Sequence, residues 1–171
     1  MTGSITVQRR AMVLNRPIAG PITMRGRDQI RGTDAKGSGD FMAARKRVRV
    51  YDHETKVISA LHEGLDLLAN RGEGIFAPID GDVTLSGTTF FIGKGLKIKG
   101  SGAWEGYEVK ILYIDPFVSS GSVRAGDVVG VVIDISKNPE YKGASNHVHV
   151  EVRRDGYPID PREIYRPLIL A

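Results

Sequence analysis

The chain of 171 residues contains no cysteine. No disulfide framework is available, so the fold must be stable without bridges, in a reducing cytosol or in any other compartment. Long apolar runs are missing too. No stretch approaches the length needed to cross a bilayer, and Met1 to Gly20, with charges at Arg9, Arg10 and Arg16, lacks the apolar run of an export signal. Neither a long amphipathic helical period nor a repeat of solenoid type is present. Glycine is abundant, at 21 residues, and separates short runs rich in Val and Ile. That composition belongs to many short strands joined by tight turns. A chain of this length forms one domain able to bury roughly two thirds of its unfolded surface. The expected fold is mostly β, an antiparallel-sheet domain of barrel-sandwich type with few short helices.

The net charge of +4 hides an asymmetry: residues 1–50 carry 11 Lys and Arg against 3 Asp and Glu, and residues 51–171 carry 13 against 17. Residues 1–24, punctuated by Pro17, Gly20 and Pro21, read as a basic arm ahead of a domain spanning 25–171. Such an arm suits a polyanion, whether nucleic acid, an acidic wall polymer or an acidic protein surface, or is simply a solvated arm. The alternating run Lys46 to Tyr51 reads as a half-exposed strand, and nucleic acid is not the expected partner. Between them, Arg25 to Arg45 is dense in Gly and Asp and reads as a structured loop able to wall a groove.

Chemistry concentrates in Asn146-His147-Val148-His149-Val150-Glu151-Val152. Two histidines two apart among β-branched residues share one face of a strand. His62 and Asp66, four apart around Gly64, are expected on one face of an extended segment, because a mid-helix glycine is unfavourable. Together they supply three or four N and O donors. Two His and a carboxylate with an open position suit a catalytic zinc site better than a closed structural one. The bland alternative, a buried polar cluster bonded to Glu63 or Glu151, leaves the spacing unexplained. His53, without a partner at matching spacing, reads as an exposed turn residue. Trp104 reads as a groove wall or a hairpin tip.

Four motifs in order, His62 to Asp66, Ala77-Pro78-x-x-Gly81, Val123-x-x-Gly126-x-x-x-Gly130 and His147-x-His149, resemble the lysostaphin and LytM group of zinc endopeptidases over residues 25–165. The pattern Asp34-x-x-Gly37-x-Gly39-x-Phe41-x-Ala43-x-Arg45, with Tyr113-Ile114-x-Pro116, is similar to the leukocyte cell-derived chemotaxin branch, whose members carry cysteines. The resemblance implies a LytM-like fold, Zn2+ held by His62, Asp66 and His149, and His147 beside the metal as a water- or oxyanion-contacting group. It also implies peptide crosslinks of peptidoglycan, or another extended peptide, as the ligand. One position departs: the group's second catalytic histidine follows a tyrosine by two, and here Asp115 stands there. Loss of an oxyanion donor costs about 100- to 1000-fold in rate, and the chemotaxin branch lacks that histidine and is not regarded as peptidase-active. Hydrolysis is therefore expected to be weak or lost, with a zinc-holding binding module as the alternative. The Ala-Pro and Val-x-x-Gly motifs also suit biotinyl or lipoyl carriers, but no lysine stands at a matching hairpin. A wall-directed domain without an export signal would reach its target aboard a phage tail or contractile injection particle, made in the cytoplasm.

Overall fold

A computed structural model describes residues 17–25, 28–51, 54–86, 95–165 and 169–170, with backbone alone at 47–51, 54–59 and 169–170. Fourteen strands follow one another among these residues: β1 Asp28–Gln29, β2 Ala44–Tyr51, β3 Glu54–Leu61, β4 Gly64–Leu68, β5 Gly74–Phe76, β6 Gly81–Ser86, β7 Gly95–Gly100, β8 Tyr107–Leu112, β9 Ile114–Pro116, β10 Ser120–Val123, β11 Val128–Val132, β12 His147–Arg154, β13 Tyr157–Ile159 and β14 Ile169–Leu170. Among the described residues helical structure is confined to 3-10 turns at Gly102–Trp104, Ile135–Lys137, Pro139–Tyr141 and Pro161–Glu163. The mostly-β, antiparallel expectation holds.

The main sheet runs β10-β6-β7-β8-β12-β13, and β4 also pairs with β12. One side of β12 is taken by β8; the other is shared by β4 along 147–151 and β13 along 152–154. Strand alternation then divides the residues. Val148, Val150 and Val152 of β12, Leu65 and Leu67 of β4, Ile98 of β7 and Ile111 of β8 are fully buried in one core. Each such side chain contributes about 1.5–3 kcal/mol on leaving water. His147, His149 and Glu151, at the alternate positions of β12, face the other way.

Several local expectations change. Asp80-Gly81, a pair whose residues suit a tight hairpin turn between short strands, leads from β5 to β6 without pairing them, because β5 pairs with β11 and β6 with β7 and β10. Asp80 instead braces a crossing, accepting Ala125 N–H on Oδ1 at 2.8 Å and Ser101 N–H on its carbonyl at 3.1 Å. Trp104 is neither groove wall nor exposed tip: it is 5% exposed, packed in the main core edge-on to Tyr107. Residues 17–24, expected as the end of an arm, belong to the packed body. Ala19 N–H reaches the Ile164 carbonyl, Gly20 N–H reaches that of Pro78, and Ile22 is fully buried. The rest of the expected arm, residues 1–16, and His53 lie outside the described residues.

Candidate metal centre

In the β4–β12 register Asp66 stands directly opposite His149. Opposed residues of an antiparallel pair share a face with Cβ atoms about 4.5–5.5 Å apart, so strand pairing alone brings this carboxylate to this imidazole. His62 arrives differently. It lies in the break between β3 and β4 rather than on one extended segment with Asp66, and its backbone bonds to Met42 and Ala43 prolong the β2–β3 ladder. From there its ring reaches the Asp66 carboxylate, four residues on.

The donors meet closely. Asp66 Oδ1 is 2.9 Å from His149 Nδ1, 3.2 Å from His62 Nε2 and 3.7 Å from His147 Nε2. His62 Nε2 and His149 Nδ1 are 3.0 Å apart. Each imidazole is anchored by its other nitrogen to an oxygen that can only accept: His62 Nδ1 donates to the Asp40 carbonyl at 2.7 Å, His147 Nδ1 to the Ser145 carbonyl at 2.7 Å, and His149 Nε2 to Glu151 Oε1 at 3.1 Å. In the neutral rings the inward nitrogens therefore carry lone pairs. Three lone pairs and a carboxylate oxygen pointing at one another repel unless a cation sits among them. His62, Asp66 and His149, all buried, form a group able to hold a metal ion.

Without a metal, a proton does part of that work. Burial disfavours the charged form of His149, but its bonds to Asp66 and Glu151 outweigh burial and raise its pKa above the ordinary 6.5. Burial likewise opposes ionised Asp66, yet bonds from His149 and His62 hold it well below the usual carboxylate range. His147 shifts the other way from His149, because burial dominates, lowers its pKa and favours the neutral ring. Glu151, pushed up by burial but pulled down more by His149 and Lys110, lies at about 2.

Asp115 is not brought to this cluster. It is exposed on β9, opposite Val131 in the three-stranded sheet, and among the described residues no hydrogen bond or ion pair joins it to the histidines. The physical reason is sheet membership: β9 pairs with β11, not with β12. Tyr113 stands there instead, its ring edge-on to His147 at 5.2 Å between centroids and its hydroxyl 3.2 Å from that of Tyr141. Tyr113 has φ of 70°, a left-handed backbone that a bulky residue rarely adopts. Nothing in local sequence spacing marks that kink. Also unforeseen was Arg31, whose guanidinium lies against Asp66 at 2.7 Å.

A cavity of about 540 Å³ opens beside the centre, between Met42, Ala60 and Leu61 on one side and Lys110, His149, Glu151 and Arg153 on the other. The 25–45 loop thus contributes Met42 as a wall, as its composition suggested.

A β domain with His, Asp and His donors converging on one buried point, and a third histidine beside them, defines a metallopeptidase-type fold. The chain belongs to peptidase family M23, whose family model matches residues 60–161. Among relatives, it is 26% identical over 149 residues to bovine leukocyte cell-derived chemotaxin-2, covering 82% of this chain and 87% of that protein. It is 31% identical over 130 residues to chicken myeloid protein 1, covering 72% of this chain and 35% of that one. A crystal structure of the SpoIIIAH and SpoIIQ complex contains a chain of like fold, with TM-score 0.59 and 16% identity, covering 85% of this chain and 98% of that one. Helicobacter pylori Csd3 is similar at TM-score 0.57 and 19% identity, covering 88% and 33% respectively. Both the lysostaphin and LytM resemblance and its chemotaxin-like branch are borne out.

Proposed function

We propose that the protein is a zinc-dependent M23 domain that engages extended peptides of the bacterial cell wall and hydrolyses their crosslinks slowly. The observation that carries this reading is the triangle of His62 Nε2, Asp66 Oδ1 and His149 Nδ1, with sides of 3.2, 2.9 and 3.0 Å. Ligands about 2.0–2.1 Å from a tetrahedral zinc ion stand about 3.3 Å from one another. The donor set and its spacing fit that ion. Zinc, when bound, lowers the pKa of a water to about 7 and polarises a carbonyl.

The chain's own residues supply the rest. Asp40, Glu151 and Ser145 fix the three rings through their outer nitrogens. Neutral His147 keeps a lone pair at Nε2 and takes the proton of the attacking water. The cavity along the outer face of β12 accommodates the peptide. Asp115, exposed on β9 and joined to the histidines by no hydrogen bond among the described residues, supplies no oxyanion donor. This favours a second reading, a zinc-holding module that binds wall peptide or a protein without cutting.

Metal analysis and a wall assay separate these. Wild-type protein is expected to hold about one equivalent of zinc, and His149→Ala to hold none. Equal zinc in both would overturn the site assignment. Zinc-loaded wild type incubated with purified walls should release new amino groups above the His149→Ala level; zinc retained with no release supports the binding module.

A further inference from the structure

Behind the candidate centre lies a buried charge that the proposed reaction does not use. Arg31 is 2% exposed. Its Nη2 donates to Asp66 Oδ2 at 2.7 Å, and its Nη1 pairs with Asp34 Oδ1 at 2.6 Å and donates to the Gly37 carbonyl at 2.8 Å. Burying a guanidinium is unfavourable unless its charge and donors are met. Here both counterions are built in, and of the buried nitrogens Nε alone has no hydrogen-bond partner.

Asp34 carries the connection onward. Its Oδ2 accepts Ser145 N–H at 2.9 Å, and the Ser145 carbonyl accepts His147 Nδ1 at 2.7 Å. One continuous chain of hydrogen bonds runs from Asp66 through Arg31, Asp34 and Ser145 to His147. The backbone is registered as well: Arg31 N–H donates to the Asp66 carbonyl at 2.7 Å, and Asp66 N–H to that of Gly39 at 2.9 Å. Gly39 must be glycine for this approach, since a Cβ there would meet the Arg31 carbonyl oxygen at 2.7 Å.

We propose that Arg31 is a positioning residue of the metal centre: its fork holds Asp66 Oδ2 so that the carboxylate presents Oδ1 alone, and through Asp34 it sets the loop that aims His147. A carboxylate can meet a cation with one oxygen or with both. With Oδ2 committed to Nη2, the two-oxygen mode is closed and a coordination position stays available for water or peptide. A lysine cannot reproduce this, because only the planar guanidinium reaches two carboxylates at once with fixed geometry. The inference rests on the zinc reading for its purpose, while its geometry is testable without metal.

The test uses the full chain as wild type, Arg31→Met, Arg31→Lys and Asp34→Asn. Zinc affinity is measured by competition with a chromophoric chelator, and ring-nitrogen NMR signals of the histidines are recorded on metal-free protein. Arg31→Met should weaken zinc binding roughly 10- to 100-fold, and Arg31→Lys should recover only part of that. Cobalt-loaded Arg31→Met should absorb less strongly in the visible, the sign of a carboxylate occupying two positions. Asp34→Asn should move the ring signals of His147 more than those of His62. Wild-type zinc affinity in Arg31→Met, or unmoved His147 signals in Asp34→Asn, overturns the proposal. If Arg31→Met fails to fold, Asp34→Asn decides alone. If wild type itself takes up no zinc, the proposed function falls, and the His147 signals still decide for or against the Arg31 chain.

Discussion

At the scale of single residues, His149 is where proton and metal compete. Its pKa is raised above the ordinary 6.5, so the protonated ring is favoured, and a metal ion must displace the proton on Nδ1. Zinc affinity is expected to fall as pH drops through that raised pKa, by about tenfold per unit for one displaced proton. Calorimetry in two buffers of different ionisation enthalpy would reveal the release; pH-independent affinity would contradict it. Glu151, which holds His149 from the other side, has an opposite linkage. Its folded pKa is about 2 against an ordinary 4.5, so its contribution to stability is present above 4.5 and lost as pH falls toward 2. The stability gap between wild type and Glu151→Gln, read by urea unfolding of metal-free protein, should be full at neutral pH and close in acid. Tyr113 and Asp115 make the third case. Of the two, Tyr113 alone touches His147, so Tyr113→His, not Asp115→His, places a further imidazole beside the three at the centre. Release of amino groups from walls should rise with the former and stay at the wild-type level with the latter.

At the scale of elements, β12 and β4 are the site. Their register sets Asp66 against His149 and, on the reverse face, packs Leu65 and Leu67 with Val148 and Val150 in the core. A slip of one residue would turn the histidines into the apolar core and the valines onto the opposite face, so the core's preference holds the metal ligands in phase. Gly64 permits the close approach of these strands. A Cβ there would meet the Val150 carbonyl oxygen at 2.4 Å and His149 Cε1 at 2.8 Å. Gly64→Ala must push β4 or the ring aside, costing about 1–3 kcal/mol and displacing a donor. Thermal melting should show the first effect and chelator competition the second. Unchanged zinc affinity in a folded Gly64→Ala protein would mean that the strands separate without moving His149.

At the scale of the whole molecule, the packed body includes Pro17 to Met24. Residues 1–16 carry Arg9, Arg10 and Arg16 and no acidic side chain. We propose that they dock an acidic surface, within a phage tail or contractile injection particle that brings the domain to a cell wall. Deletion of 1–16 is expected to leave the melting temperature and zinc content as in the full chain, because every described contact of residues 17–24 survives. The same deletion should detach the protein from any particle with which it co-sediments. A full-length chain that sediments only as a free monomer in native lysate would end the particle idea. Extending the cut to Gly20 would remove Ala19, 2% exposed and bonded to Ile164, and should lower the melting temperature.

The sequence by itself determined the mostly-β class and the His-x-His strand. These follow from two-residue periodicity and from local φ preferences, which neighbours in the chain suffice to set. It also marked the donors His62, Asp66, His147 and His149, through residue type and spacing. Tertiary structure decided how they meet. The fold assigned β5 and β6 to different sheets, drew Trp104 into the core, turned Asp115 outward and kinked Tyr113 toward His147. Arg31 was beyond local reading altogether, for it is separated by 35 residues from Asp66 and by 116 from His147. Spacing along a strand predicts which face a residue occupies, but which strand lies across from it depends on long-range pairing and core packing, and no short window of sequence contains that choice.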